Sequence, residues 1–260
     1  MPATSPLLVA GPPLVIGHRG AAAVRPENTI PSFAHALSLG VDGVEFDVRL
    51  TRDGAVVVHH DADTARTCGE RHVVAESTLA TLRTLDAGAT FRGAEPAPRA
   101  TRIPTLDEAL ELLRDVPLIV ECKTVEVARP AIAVLRRHGL AGRTIVGSFL
   151  HGAMAVARAE GVASAASRTD MLALCLRAWT GLAPRRLPMT ALAIPERSGG
   201  LPLPLPRLVT MTRPLGVPVH VWTVNDPADA RRLWDMGVTG LLSDDPRTLL
   251  ATRALRAAGR

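Results

Sequence analysis

Tyrosine is absent from this 260-residue chain, lysine occurs once, at Lys123, and aromatic residues make up 3%. With one lysine, three cysteines and no tyrosine, few groups change charge between neutral pH and the range where arginine titrates. A formal net charge of +5 therefore carries the pI to about 10.3 without a strong positive field. The sign is also unevenly placed. Residues 1–126 hold 12 Lys+Arg against 17 Asp+Glu, and residues 127–260 hold 18 against 8. A nucleic-acid surface interleaves aromatics with clustered basic residues. So sparse an aromatic content argues against that class, and no nucleic-acid partner is expected.

Cysteine is as uninformative as it is rare. Cys68, Cys122 and Cys175 are odd in number and share no short spacing, so neither a disulfide framework nor a cysteine zinc site is indicated. The apolar stretch at 7–16 has no basic region ahead of it and is broken by Gly11, Pro12 and Pro13, unlike a signal peptide. Arg177, Arg185 and Arg186 interrupt the apolar stretch at 171–195, and no run reaches a bilayer-spanning length of about 18 residues. The expectation is a soluble, cytoplasmic protein without stable membrane insertion, its oligomeric state open. At this length one domain spanning 1–260 can bury a core without staples.

What is present is alternation. Short strand-like runs at 14–18, 43–48, 118–123, 144–148, 163–166, 191–194, 219–224 and 240–243, several of them rich in Val and Ile, are separated by helical patterns, the signature of parallel βαβ units. Thr105 with Glu108 forms a capping box, and Asn225 or Asp226 can cap a helix that opens with Pro227. Eight strands with this spacing predict an α/β fold, the (β/α)8 TIM barrel. The exception follows the second strand. A turn at Arg52-Asp53-Gly54 and a returning arm at 55–60 predict a hairpin, and roughly 50–103 reads as an insertion covering one side of the barrel mouth.

Side chains two apart on a strand share a face. Glu45 and Asp47 therefore project together, as do Glu121 and Lys123. Carboxylates sharing a buried face repel and require a cation between them. Three hard oxygen donors suit one divalent cation, Ca²⁺ or Mg²⁺; an ion-pair network with Arg19 or Lys123 is the other arrangement. His18 closes the first strand. Hairpin partners should sum to about 105 or 106, which brings His60 near Glu45. Two imidazoles beside these acids can act as general acid and base, each worth typically ~10²–10⁴ in rate. His35, His59, His72, His138, His151 and His220 have no such company and read as structural. Arg19 offers a fork and Lys123 a point charge for phosphate. Glu27, Asn28 and Thr29 read as loop and cap residues.

At these residues the chain resembles the glycerophosphodiester phosphodiesterase family. The matching segments are His18-Arg19-Gly20, Pro26-Glu27-Asn28-Thr29, Gly43-Val44-Glu45-Phe46-Asp47-Val48, Thr51-Arg52-Asp53-Gly54, His60-Asp61, Arg66-Thr67, Ile103-Pro104-Thr105-Leu106 and Glu121-Cys122-Lys123. Later come Ser148-Phe149, Val221-Trp222-Thr223-Val224-Asn225-Asp226 and Gly240-Leu241-Leu242-Ser243-Asp244. The resemblance implies a TIM barrel with a small insertion after the second strand, which hydrolyses small-molecule glycerophosphodiesters to an alcohol and glycerol 3-phosphate. It implies that Glu45, Asp47 and Glu121 bind the divalent cation, that His18 and His60 form the acid–base pair, and that Arg19 and Lys123 hold phosphate. Trp222 would wall the glycerol or leaving-group portion. Two other functions fit the same residues: lysophospholipase D chemistry on an acylated substrate, with an apolar groove from 171–195, and a non-catalytic barrel that binds phosphorylated ligands.

Overall fold

A computed structural model describes residues 5–93 and 100–258. Residues 94–99, inside the insertion expected at 50–103, lie outside the described residues. The strands are β1 (Leu14–His18), β2 (Gly43–Leu50), β3 (Val56–Val58), β4 (Leu118–Cys122), β5 (Thr144–Gly147), β6 (Leu192–Pro195), β7 (Arg197–Ser198), β8 (Leu201–Pro202), β9 (Val219–Trp222) and β10 (Gly240–Ser243). The helices are α1 (Ile30–Ser38), α2 (Ala65–Cys68), α3 (Leu79–Leu82), α4 (Leu106–Leu112), α5 (Ala128–Arg137), α6 (His151–Ala159), α7 (Arg168–Thr180), α8 (Leu205–Thr212), α9 (Pro227–Met236) and α10 (Pro246–Ala258). The expected caps are present. Thr105 and Glu108 satisfy each other's backbone N–H groups at the start of α4, and Asp226 accepts from Ala228 and Asp229 at the start of α9.

Seven strands pair in parallel in the order β5-β4-β2-β1-β10-β9-β6. The expected strand at 163–166 fills the eighth place but forms only a single bridge, Val146 to Ser164. Its small residues give a ladder little to pack. On the far side Thr190 replaces part of one: its hydroxyl accepts from the Ser164 N–H at 2.9 Å, and its own N–H donates to the Ser164 carbonyl at 2.9 Å. With that segment the ring closes between β5 and β6, and the chain is a (β/α)8 barrel.

Period two then divides every strand. Val44, Phe46 and Val48 turn outward beneath the helices, while Leu14, Ile16, Ile119, Ile145, Ala191 and Leu242 fill the barrel. Leu7, from a 3-10 turn at Pro6–Leu8, joins the interior cluster. Gly43 makes room for it, since a side-chain carbon there would lie 3.0 Å from a Leu7 methyl. Apolar residues thus occupy the floor, and the residues nearer the C-terminal ends of β2 and β4 are free to be polar.

His220 fastens this floor. It is fully buried on β9, its Nε2 donates to the Leu7 carbonyl at 2.8 Å, and Nδ1 has no partner. Burial drives the imidazole down to about 4, against the opposing Leu7 bond. An unfolded chain takes up a proton below about pH 6.5 that the native site refuses. Stability contributed by neutral His220 is therefore lost as pH falls from 6.5 toward 4, by up to about 3 kcal/mol. Urea unfolding across that window should show this slope in the wild type and a flatter one in His220→Gln. Parallel slopes would assign acid lability elsewhere.

The hairpin holds its expected register. Val48 pairs Val58, Arg49 pairs Val57 and Leu50 pairs Val56. Beyond it, Val57, Cys68, Val74, Leu82, Leu85, Ala87 and Ile103 form a separate small apolar cluster. Arg66 ties this unit to the loop after β1, with Nη1 and Nη2 donating to Glu27 at 2.7 Å each.

Candidate active site at the barrel mouth

A cavity opens at the C-terminal ends of the strands, where TIM barrels place their sites. His18, Arg19, Glu45, His60, Glu121, Lys123 and Trp222 line it, and Asp47 lies just beneath at 1% exposure. All eight residues singled out in the sequence therefore meet. One carboxylate oxygen from each of Glu45, Asp47 and Glu121 lies within 4.8 Å of the other two. Lys123 Nζ stands 2.8 Å from Asp47 Oδ1 and 2.8 Å from Glu121 Oε1. Arg19, held at a positive φ of 50°, donates its backbone N–H to Glu45 at 3.1 Å and its Nη1 to Glu27 at 2.8 Å.

The two histidines have matching surroundings. His18 Nδ1 is 2.7 Å from Asp244 Oδ1, and His60 Nδ1 is 2.6 Å from Asp61 Oδ1. A carboxylate behind Nδ1 selects the tautomer with its proton there and frees Nε2 to exchange protons. His18 Nε2 is 3.9 Å from Glu45. Burial works against charge on His18, but Asp244 and Glu45 outweigh it and hold the ring above its ordinary value. Asp61 goes the other way. Burial would raise it, and hydrogen bonds from His60 and Arg66 instead bring it down to about 2.

The protein's own cations are shared unevenly within the carboxylate cluster. Burial disfavours charge on Glu45, repulsion from Asp47 and Glu121 adds to this, and the carboxyl is pushed up to about 7 despite His18. Asp47 is buried as deeply, but Lys123, Arg19 and His60 hold it below the ordinary carboxylate range. Lys123 thus satisfies two of the three acids, and Glu45 is the one left short of positive charge. Three hard oxygens around such a deficit fit a divalent cation, with Glu45, Asp47 and Glu121 as its candidate holders.

Comparison with known proteins points the same way. The glycerophosphoryl diester phosphodiesterase family model matches residues 18–248. A glycerophosphodiester phosphodiesterase of Caldanaerobacter subterraneus subsp. tengcongensis is 35% identical over 91% of this chain and 96% of its own. The chain belongs to the glycerophosphoryl diester phosphodiesterase family. Solved structures agree with this membership. The glycerophosphoryl diester phosphodiesterase domain of a Mycobacterium tuberculosis protein superposes with a TM-score of 0.82 at 26% identity, covering 95% of this chain and 100% of that one. An Oleispira antarctica phosphodiesterase, in complex with the product sn-glycerol-3-phosphate, gives 0.72 at 26% identity, over 92% and 96%.

Several residues escaped the sequence reading. Asn28 is more than a loop residue. At φ 57° and 3% exposure, its Nδ2 donates to Asp47 Oδ2 at 2.7 Å, and its Oδ1 accepts the Asp47 N–H at 3.2 Å. It thereby holds both ends of that residue. Glu27 is likewise more than a loop residue, bridging Arg19 and Arg66. Thr29 is the expected cap, accepting from Ser32. Phe149 stands at the mouth with its ring 5.8 Å from Trp222, edge to face at 83°, and Arg168 lies over it at 5.6 Å. An Asp at the end of a barrel strand, as at 244, was the available signal for the His18 partner. His59 is structural as expected, its Nε2 3.0 Å from the Asp63 carbonyl.

Proposed function

We propose that this phosphodiesterase hydrolyses glycerophosphodiesters to an alcohol and glycerol 3-phosphate, using a divalent cation with His18 and His60 as its acid–base pair. The observation that carries the reading is the convergence, in one cavity, of two carboxylate-backed histidines on three acids flanked by Arg19 and Lys123. The product bound by the related Oleispira enzyme supports the same substrate class.

The cation, held by Glu45, Asp47 and Glu121, would neutralise phosphoryl oxygens and orient the diester. Arg19 and Lys123 share the remaining negative charge as it grows toward the transition state. At Nε2 one histidine takes the proton of the nucleophile, either water or the glycerol 2-hydroxyl, the latter giving a cyclic phosphate that water then opens to glycerol 3-phosphate. The other returns a proton to the departing alkoxide, and each is steadied by its acid at Nδ1. Trp222 and Phe149 wall the side of the cavity where the organic portion rests.

The test is release of glycerol 3-phosphate from a panel of headgroup diesters, with and without chelator, and with Ca²⁺ or Mg²⁺ restored. Turnover of glycerophosphodiesters that stops in chelator and returns with the ion is expected. Turnover indifferent to chelator overturns the metal assignment, and faster choline release from lysophosphatidylcholine than from glycerophosphocholine overturns the substrate assignment.

A further inference from the structure

The basic surplus has an address. Residues 171–225 contain six arginines and one acid, Glu196, so this stretch alone accounts for the formal +5 of the whole chain. Arg177, Arg185 and Arg186 are exposed, and none of the three enters an ion pair among the described residues. Arg177 lies on α7, which carries an apolar stripe, and Arg185 and Arg186 follow the end of that helix within six residues. Helix α7 turns Leu174, Cys175 and Ala178 into the core, and on its other side exposes Leu172 (61%), Leu176 (53%) and Trp179 (62%). Spacings of four and three residues put these on one face. Leu182, just past the Gly181 cap, extends it at 64% exposure. Scattered exposed leucines need no explanation, but a continuous stripe with a tryptophan marks an interaction surface.

The charges choose among occupants. Pairing two copies of this chain through this face about a two-fold axis would bring together two surfaces that each carry Arg177, Arg185 and Arg186. An apolar protein groove would leave them without partners. A bilayer with anionic headgroups satisfies both features: leucines and tryptophan enter the boundary of headgroup and acyl chain, and arginines meet phosphates. We propose that the exposed face of α7, with Leu182, Arg185 and Arg186 beyond it, is a docking surface for an anionic phospholipid bilayer. The helix also starts at the mouth, since Arg168 in its first turn covers Phe149. The proposal does not depend on the reaction assigned to the cavity, because binding is measured without turnover.

The test is co-sedimentation of the full chain with vesicles of phosphatidylglycerol or of phosphatidylcholine. Partitioning into phosphatidylglycerol should exceed that into phosphatidylcholine at least about tenfold and fall with added salt. Arg185→Gln with Arg186→Gln should reduce it about 25-fold, at roughly fivefold per arginine, and Trp179→Ala about tenfold. All these side chains are exposed, so melting temperature and turnover of a soluble diester should stay at wild-type values. Equal partitioning into both vesicles, or none into phosphatidylglycerol, overturns the proposal. So does a wild-type dimer in sedimentation velocity that Trp179→Ala dissociates, which would assign the face to a second copy.

Discussion

Glu45→Gln is expected to remove turnover and, at the same time, to make the cation-free protein more stable. The two effects have one cause. Glu45 is buried against Asp47 and Glu121, and among the described residues Lys123 pairs with those two acids and not with Glu45. Its carboxyl, pushed up to about 7, contributes stability in the cation-free protein at pH below 4.5 and loses it as pH rises through 7. Above that the charged form costs on the order of 3 kcal/mol. Gln keeps an oxygen for the Arg19 N–H and sheds the charge. In chelator at pH above 7, the variant should therefore melt higher than the wild type. Adding Ca²⁺ or Mg²⁺ should raise the wild-type melting temperature, as a ligand of the native state must, and leave the variant nearly unmoved. Turnover should fall at least about 10³-fold, the scale of losing a principal electrostatic stabiliser. Wild-type turnover in the variant, or an unchanged cation response, would place the ion elsewhere.

That site was legible in the sequence because its logic is local. Glu45 with Asp47, and Glu121 with Lys123, announce a shared face through period two, and any strand delivers that. The hairpin register was equally local, since the turn at Arg52-Asp53-Gly54 fixes which residues oppose, and the pairs sum to 106 as the spacing requires. His60 then arrives at the cluster by counting. What stayed hidden depends on how the ring closes. Asp244 reaches His18 across 226 residues, a neighbourhood that exists only because β1 pairs with β10. Asn28 reads as a turn residue from its neighbours, and only the fold of the loop after β1 turns its amide onto Asp47. The segment at 163–166 takes a strand's place in the alternation, yet Thr190 supplies part of its pairing through a side chain. Pattern reports direction, and closure decides contact.

The contact with the most to lose is that of Asp244. Its Oδ1 accepts from His18 Nδ1 at 2.7 Å, its Oδ2 accepts from Asn225 Nδ2 at 3.1 Å, and its N–H donates to Asn225 Oδ1 at 2.9 Å. The carboxylate is therefore clamped in position and can only accept. Asp244→Asn keeps the shape but can turn an NH₂ toward Nδ1, which moves the imidazole proton to Nε2 and leaves the wrong tautomer facing the cavity. A tautomer error of this kind costs up to about 10⁴ in kcat where a carboxylate orients a catalytic histidine. For Asp244→Asn we expect a fall of about 10²–10⁴ in kcat with KM near wild type, because the residue acts through His18 and not on the diester. The decisive measurement is non-additivity. His18→Ala combined with Asp244→Asn should be no slower than His18→Ala alone, as expected when two residues act as one unit. If the double variant instead loses the product of both single effects, Asp244 acts independently of His18 and the shared logic of the two carboxylate-backed histidines fails.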